Sequence, residues 1–395
     1  MRTRIALLIA ASLAFIMPAT TARATSEPVC DDAWHYESGP QDGQILNAVS
    51  SRWIQGAWAV GSVHDSSLGV DRTYLEHWSI DIWQHATSPN MDPGGVPANN
   101  DLSAATGIGR DVWAAGDYTT QSSAGSSIHP LAMHYDGHGW TITPTDPTLN
   151  HGWLTGIQWI AGNDVWAVGG ATKQGHVIPL IEHWDGLAWT RWSIPSPLDS
   201  TLNDISSGDG GLVWAAGDSP GGVFVERWNG SAWKVVPTAP VSGTKVQVYD
   251  IAAPSNTTEG AITVGGYLPY ATPLRMHTLA QRFDGSNWSQ MSTPDPASLT
   301  NIFTAVDHGP WPLEQTWAVG YQQWGKLQPK QPLIARLTDS GWVLDATPPA
   351  PGGVWLTDIA EFGVSTLDKL GGVAVGNGYD SLNREYAVIM RRCSP

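Results

Sequence analysis

The chain has 395 residues, with 36 Asp and Glu against 20 Lys and Arg and no basic cluster. A surface this acidic repels phosphate backbones and anionic lipid, so nucleic acid and membrane surfaces are excluded as partners. Charged residues are sparse at 14%, while 43 glycines, 28 prolines and 22 tryptophans point to short strands and many turns rather than long surface helices.

In chain order, residues 1–24 come first. Arg2 and Arg4 precede an apolar stretch from Ile5 to Met17, and Ala22-Arg23-Ala24 supplies a small-x-small site. This is the pattern of a secretory signal peptide, and the apolar stretch is too short for a permanent membrane anchor. The expectation is a secreted, extracellular protein without membrane insertion, whose residues 25–395 form one domain. Removing the signal costs three arginines and no acid, which leaves 17 basic against 36 acidic residues.

From residue 44 onward one unit recurs. In residues 154–189 it reads as a short LTGI run, then DVWAVG, a loop, LIEHW, a DG turn and a final AW strand. The glycines closing the second run fall at Gly61, Gly116, Gly169, Gly217, Gly265, Gly320 and Gly376, at intervals of 48 to 56 residues. A third-strand aromatic and a fourth-strand tryptophan stay five apart, as in Trp78/Trp83, Tyr135/Trp140, Trp184/Trp189, Trp228/Trp233 and Phe283/Trp288. Turns such as Asp185-Gly186 and Asn229-Gly230 are expected to be two-residue hairpin turns, because both positions tolerate positive φ. Four short strands at a period near 50 residues make a propeller blade. The predicted fold is all-β: a seven-bladed β-propeller with four-stranded blades.

The seventh unit stops at Cys393 without its tryptophan strand, while residues 29–34, VCDDAW, look like the missing half. Aligning IMRRC and CDDAW on the repeat puts Cys393 and Cys30 at one turn position. The N-terminal strand around Trp34 is therefore expected to complete the last blade, and a Cys30–Cys393 disulfide to replace the hairpin turn. An exported compartment permits the bond, and chain-entropy models assign about 5 kcal/mol to closing so long a loop.

These motifs, VWAVGG, an aromatic and then W, resemble the kelch repeat of galactose-oxidase-like propellers. They look closest to the DVWAVG…HWDG…W arrays of secreted bacterial proteins, and the resemblance covers residues 30–393. A double glycine follows the second strand only at Gly169-Gly170 and Gly265-Gly266, a departure from kelch. The families with this fold share no single function.

Residues repeated in every blade serve the scaffold, and His77, His134 and His183 fall in that class because Arg227, Arg282, Arg336 and Arg391 replace them elsewhere. There is no HExxH, CxxC pair, calcium loop or GxSxG elbow, so the sequence implies no metal, no cofactor and no named catalytic residue. Variable loops between strands two and three and between blades share one face around the channel mouth, where binding residues collect. The candidates there are Trp153, Trp355, Trp324, His151, Tyr267 and Tyr321. Trp153 and Trp355 are the most pointed of these, because the other blades are read as carrying Ile45, Asp101, Thr201, Gln247 and Ser298 in their place. The expected activity is non-catalytic binding of carbohydrate or a cell-surface polymer by a monomer. A polysaccharide lyase or glycosidase using the same mouth, and an extracellular protein–protein platform, are the alternatives.

Overall fold

The computed structural model describes residues 33–393, apart from 38–42, 52–55, 80–81, 124, 147–148, 150, 209–210, 255–259, 310–314, 361–369 and 381. The strands form seven antiparallel sheets of four. The innermost strands of blades one to seven are Gln44–Ser51, Asn99–Ile108, Gly152–Ala161, Thr201–Ser207, Gly243–Ala252, Thr300–His308 and Val354–Ala360. They touch one another in sequence around a ring, and the last meets the first. In blade seven, Trp34–Tyr36 is the outer strand, antiparallel to Glu385–Cys393 with Trp34 opposite Arg392. The signal-peptide residues and Cys30 lie outside the described residues, so the expected leader and disulfide fall outside this description.

Each blade is held in register by a bulge. In every inner strand one extra residue interrupts pairing with the second strand, as between Leu154 and Gly156. The bulge drives the preceding carbonyl against the second strand. A Cβ at Gly169 would lie 2.0 Å from the Trp153 carbonyl oxygen, and the other six repeat glycines are equally crowded. The invariance of this glycine along the chain follows from that close approach of backbone to backbone.

The tryptophan ladder explains the rest of the repeat. Fourth-strand tryptophans meet the second-strand tryptophan of the preceding blade edge-on: Trp140 on Trp58 at 5.2 Å, Trp189 on Trp113 at 5.7 Å, Trp233 on Trp166 at 5.3 Å. Trp34 does the same to Trp317 of blade six, at 5.6 Å. Such edge-to-face pairs add about 0.5–1.5 kcal/mol beyond buried area. The repeat histidines are part of this ladder. Asp164 accepts a hydrogen bond from the Trp166 indole at 2.9 Å and lies 2.8 Å from His183 Nε2, and the imidazole stacks on the indole at 4.1 Å. In blades four and six, Arg227 and Arg336 cover Trp214 and Trp317 instead.

Two local expectations need correction. At the Asp-Gly and Asn-Gly turns four residues separate the paired strands, with Trp184 opposite Trp189 and Trp228 opposite Trp233, and Gly186 has positive φ while Asp185 does not. The Asp185 carboxylate instead accepts from the Leu187 and Ala188 N–H groups, which is why Asp or Asn stands there. In blade six, Phe303 pairs with Gly320, so Ile302 rather than Ser298 is equivalent to Trp153. Leu299-Thr300 mimics Leu154-Thr155, but it lies four residues before Phe303-Thr304, at the end of a longer inter-blade loop.

Candidate functional site

In five blades the bulge residue of the inner strand, Asn47, Thr155, Asn203, Thr304 or Thr357, reaches a carbonyl of the next blade. Inner strands of neighbouring blades diverge from one another too far for a backbone ladder, and side chains bridge them. Thr155 donates to the Leu202 carbonyl at 2.9 Å, Thr304 to Leu356 at 2.8 Å and Thr357 to Leu46 at 3.0 Å; Asn47 does the same to Leu102 at 2.9 Å. One residue further on, carboxylates accept in the opposite sense: Asp250 from the Val306 N–H at 2.7 Å and Asp358 from Val49 at 2.8 Å. Asp204 and Asp250 are adjacent, and burial followed by the Asp250 charge holds both Asp204 and Asp358 well above the usual carboxylate range. Burial also raises Asp250.

All seven inner strands line the resulting channel, which encloses about 210 Å³ and is mainly polar. Three of its acids, Asp204, Asp250 and Asp358, accept from backbone N–H groups of the next blade. Among the described residues, no group of three or more His, Cys, Asp or Glu side chains is arranged to hold a metal ion.

At the loop-rich mouth the seven blades stop being alike. Two positions face each other there: the residue before the bulge leucine, and its cross-strand partner after the repeat glycine. In blade two these are Asp101 and Asp117. Asp117 is pushed up to about 6, first by burial and then by the Asp101 charge. Asp101 is held by the Asn47 amide at 3.1 Å. In blade three they are Trp153 and Gly170, and the indole lies over the glycine, where a Cβ would meet it at 2.5 Å. That is the reason for the double glycine in this blade.

Blades six and seven build an aromatic cluster. The Lys330 ammonium sits 4.3 Å from the Tyr321 ring centroid and 4.5 Å from that of Trp355. Tyr379 leans on Trp355 at 5.2 Å. Trp355, Tyr321 and Lys330 are all half-buried, and Tyr379 is exposed. Burial lowers the Lys330 pKa, an effect that the nearby Glu385 charge opposes. The arrangement presents flat apolar rings around a single cation.

No family model and no curated protein matches the chain. Solved structures do. The WD40 repeats of RRP9 superpose with a TM-score of 0.54 at 9% identity, over 92% of this chain and 98% of that one. YCF48 from Cyanidioschyzon merolae gives 0.53 at 13%, over 91% and 99%. Virginiamycin B lyase from Staphylococcus aureus gives 0.53 at 11%, over 91% and 98%. The likeness is one of fold. It carries the resemblance read from the sequence as far as the propeller and no further.

The structure groups two of the six candidates, Tyr321 and Trp355, around Lys330. Trp153 stands apart on blade three, with His151 exposed just before it. Trp324 projects from the second loop of blade six, half exposed at 50%. Tyr267 packs down on Gly243, where a Cβ would come within 2.8 Å of its ring, and so braces the start of its own inner strand. The loop histidines find acids: His64 with Asp71 at 2.7 Å, His176 with Asp199 at 3.2 Å and His277 with Asp295 at 2.8 Å. Lys330 escaped the sequence reading. The available signal was that one loop, residues 324–330, carries two of the chain's six lysines.

Proposed function

We propose that this chain is an exported, non-catalytic binding protein that recognises a carbohydrate or cell-surface polymer at the mouth of its channel. The observation that carries this reading is the cluster of Tyr321, Trp355 and Tyr379, placed where the blades cease to repeat. Aromatic faces stack on the C–H faces of sugar rings, and the Asn, Asp and Gln side chains around the rim satisfy hydroxyls. Export rests on the signal-like residues 1–24, and the Cys30–Cys393 disulfide belongs to the same proposal as the covalent closure of blade seven.

The test is a glycan array followed by titration of any glycan retained. Trp355→Ala should weaken binding by roughly 1–3 kcal/mol, as for an aromatic anchor, with the melting temperature little changed. Unchanged affinity would remove the cluster from the site. A second reading, cleavage of the polymer, is favoured by one observation: Asp117, pushed up to about 6, beside Asp101. Two carboxyl groups of unequal acidity are what acid–base hydrolysis of a glycoside requires. Shortened products after incubation with the bound glycan, lost in Asp117→Asn, would replace the binding reading with this one.

A further inference from the structure

We infer that the polymer recognised at this mouth is anionic, a polysaccharide bearing carboxylate or other acidic groups, and that Lys330 is the counter-charge it meets. The inference rests on the carbohydrate-binding reading and names the class of ligand within it.

The argument begins with the state of the Lys330 ammonium. It is half-buried between two rings, and an ammonium has three donors to satisfy. Among the described residues it has no hydrogen-bond acceptor and no ion pair. Glu385 is close enough for its charge to be felt, yet the two make no salt bridge. The ring faces hold the cation by their quadrupoles but accept no conventional hydrogen bond. A half-desolvated donor of this kind gains most from an incoming anionic oxygen, since charge-assisted hydrogen bonds are about twice as strong as neutral ones.

The surrounding charges sort in the same direction. Arg275 is neutralised by Asp295 at 3.0 Å, and Arg384 by Asp380 at 2.6 Å. The three lysines of this sector, Lys245, Lys326 and Lys330, have no acid partner among the described residues, and the first two are exposed. Across the mouth, blade two presents Asp101 and Asp117, whereas Asp218 of blade four is tied to neighbouring blade five. Asp218 accepts from the Val248 N–H at 2.7 Å and from the Asn203 amide at 2.9 Å. The mouth of this acidic protein is therefore polarised: aromatic rings and lysines without a salt bridge among the described residues lie on blades five to seven, with Glu385 near Lys330 as the local acid, and the Asp101–Asp117 pair lies opposite on blade two. An acidic sugar would be drawn to one side and repelled from the other, which fixes its orientation as well as its place.

The probe is polygalacturonate beside its fully methyl-esterified form, which keeps the sugar and linkage while removing the charge. Alginate and hyaluronan serve as further acids, and dextran and xylan as further neutral polymers. Binding of at least one acidic polymer, weakened about tenfold between about 50 and about 500 mM NaCl, is expected. Lys330→Met keeps the alkyl stem between the rings and should weaken that binding about tenfold, with Lys330→Arg restoring it. Equal affinity for charged and esterified polymer, or full affinity in Lys330→Met, would overturn the anionic ligand and leave the carbohydrate reading standing. Retention of none of these polymers, and of no glycan on the array, would overturn both.

Discussion

Glu226 lies in the third strand of blade four, is fully buried, and has no hydrogen-bond partner among the described residues for either carboxylate oxygen. Phe224 and Trp228, two residues to either side on the same face, pack into the seam between blades three and four. Burial in that seam pushes Glu226 up to about 7 from 4.5. A folded value above the unfolded one means that the stability contributed by the protonated form is whole below about pH 4.5 and is lost as pH rises through about 7. A shift of this size corresponds to about 3 kcal/mol. The equivalent residue in blade five is Gln281, whose amide donates to the Ala239 carbonyl at 2.8 Å, so the fold already accommodates the neutral isostere. Glu226→Gln should match the parent chain near pH 5 and exceed it by about 2–3 kcal/mol at pH 8, read from urea denaturation at both values. A difference between the two proteins that stays constant from pH 5 to pH 8 would refute the argument, because it would mean that Glu226 does not titrate in this window. Glu182, in blade three, is likewise pushed up to about 7, with burial the main cause. It accepts one backbone N–H from Asp146 at 3.2 Å, so Glu182→Gln should show the same sign.

Two further expectations concern the scaffold. Gly169→Ala places a methyl 2.0 Å from a carbonyl oxygen that the bulge holds fixed, whereas Gly139→Ala meets nothing within 4 Å. The first should cost at least about 1–3 kcal/mol in thermal or urea unfolding and the second almost nothing; equal effects would sink the bulge explanation of the repeat glycine. If Cys30 and Cys393 are bonded, mild reduction should lower the melting temperature while circular dichroism of the native state is unchanged. An identical melting curve with and without reductant would count against the bond.

The propeller was legible because its packing is periodic. Gly61 to Gly376 recur since seven bulges press seven carbonyls on seven second strands, and Trp140, Trp189 and Trp233 recur since each meets the second-strand tryptophan of the preceding blade. Even the exchange of His183 for Arg227 is readable, as two ways of covering an indole face. Legibility failed where the period does. Blade six was read from Leu299 because an inter-blade loop of different length offered a false copy of Leu154-Thr155, and only pairing with Gly320 identifies Phe303. The Asp-Gly turns were recognised as turns, but the role of the aspartate as an acceptor for two backbone N–H groups is a property of the folded turn.

The candidate site was harder for a related reason. A scaffold residue is visible in sequence because it must be repeated, whereas a recognition residue is visible only by failing to repeat, and many residues fail to repeat for trivial causes. Tyr267 and Tyr321 look alike by that criterion. The structure separates them, since Tyr267 covers Gly243 while Tyr321 faces the Lys330 ammonium. Trp153 and Trp355 hold equivalent places in their blades, yet Trp153 rests on Gly170 and Trp355 on the Lys330 ammonium. The difference comes from the second loops, which have no common length and so no register from which to read it. The recognition site proposed for this propeller therefore depends on the loop that brings Lys330 across to Trp355, on a ring whose strands are committed to holding one another.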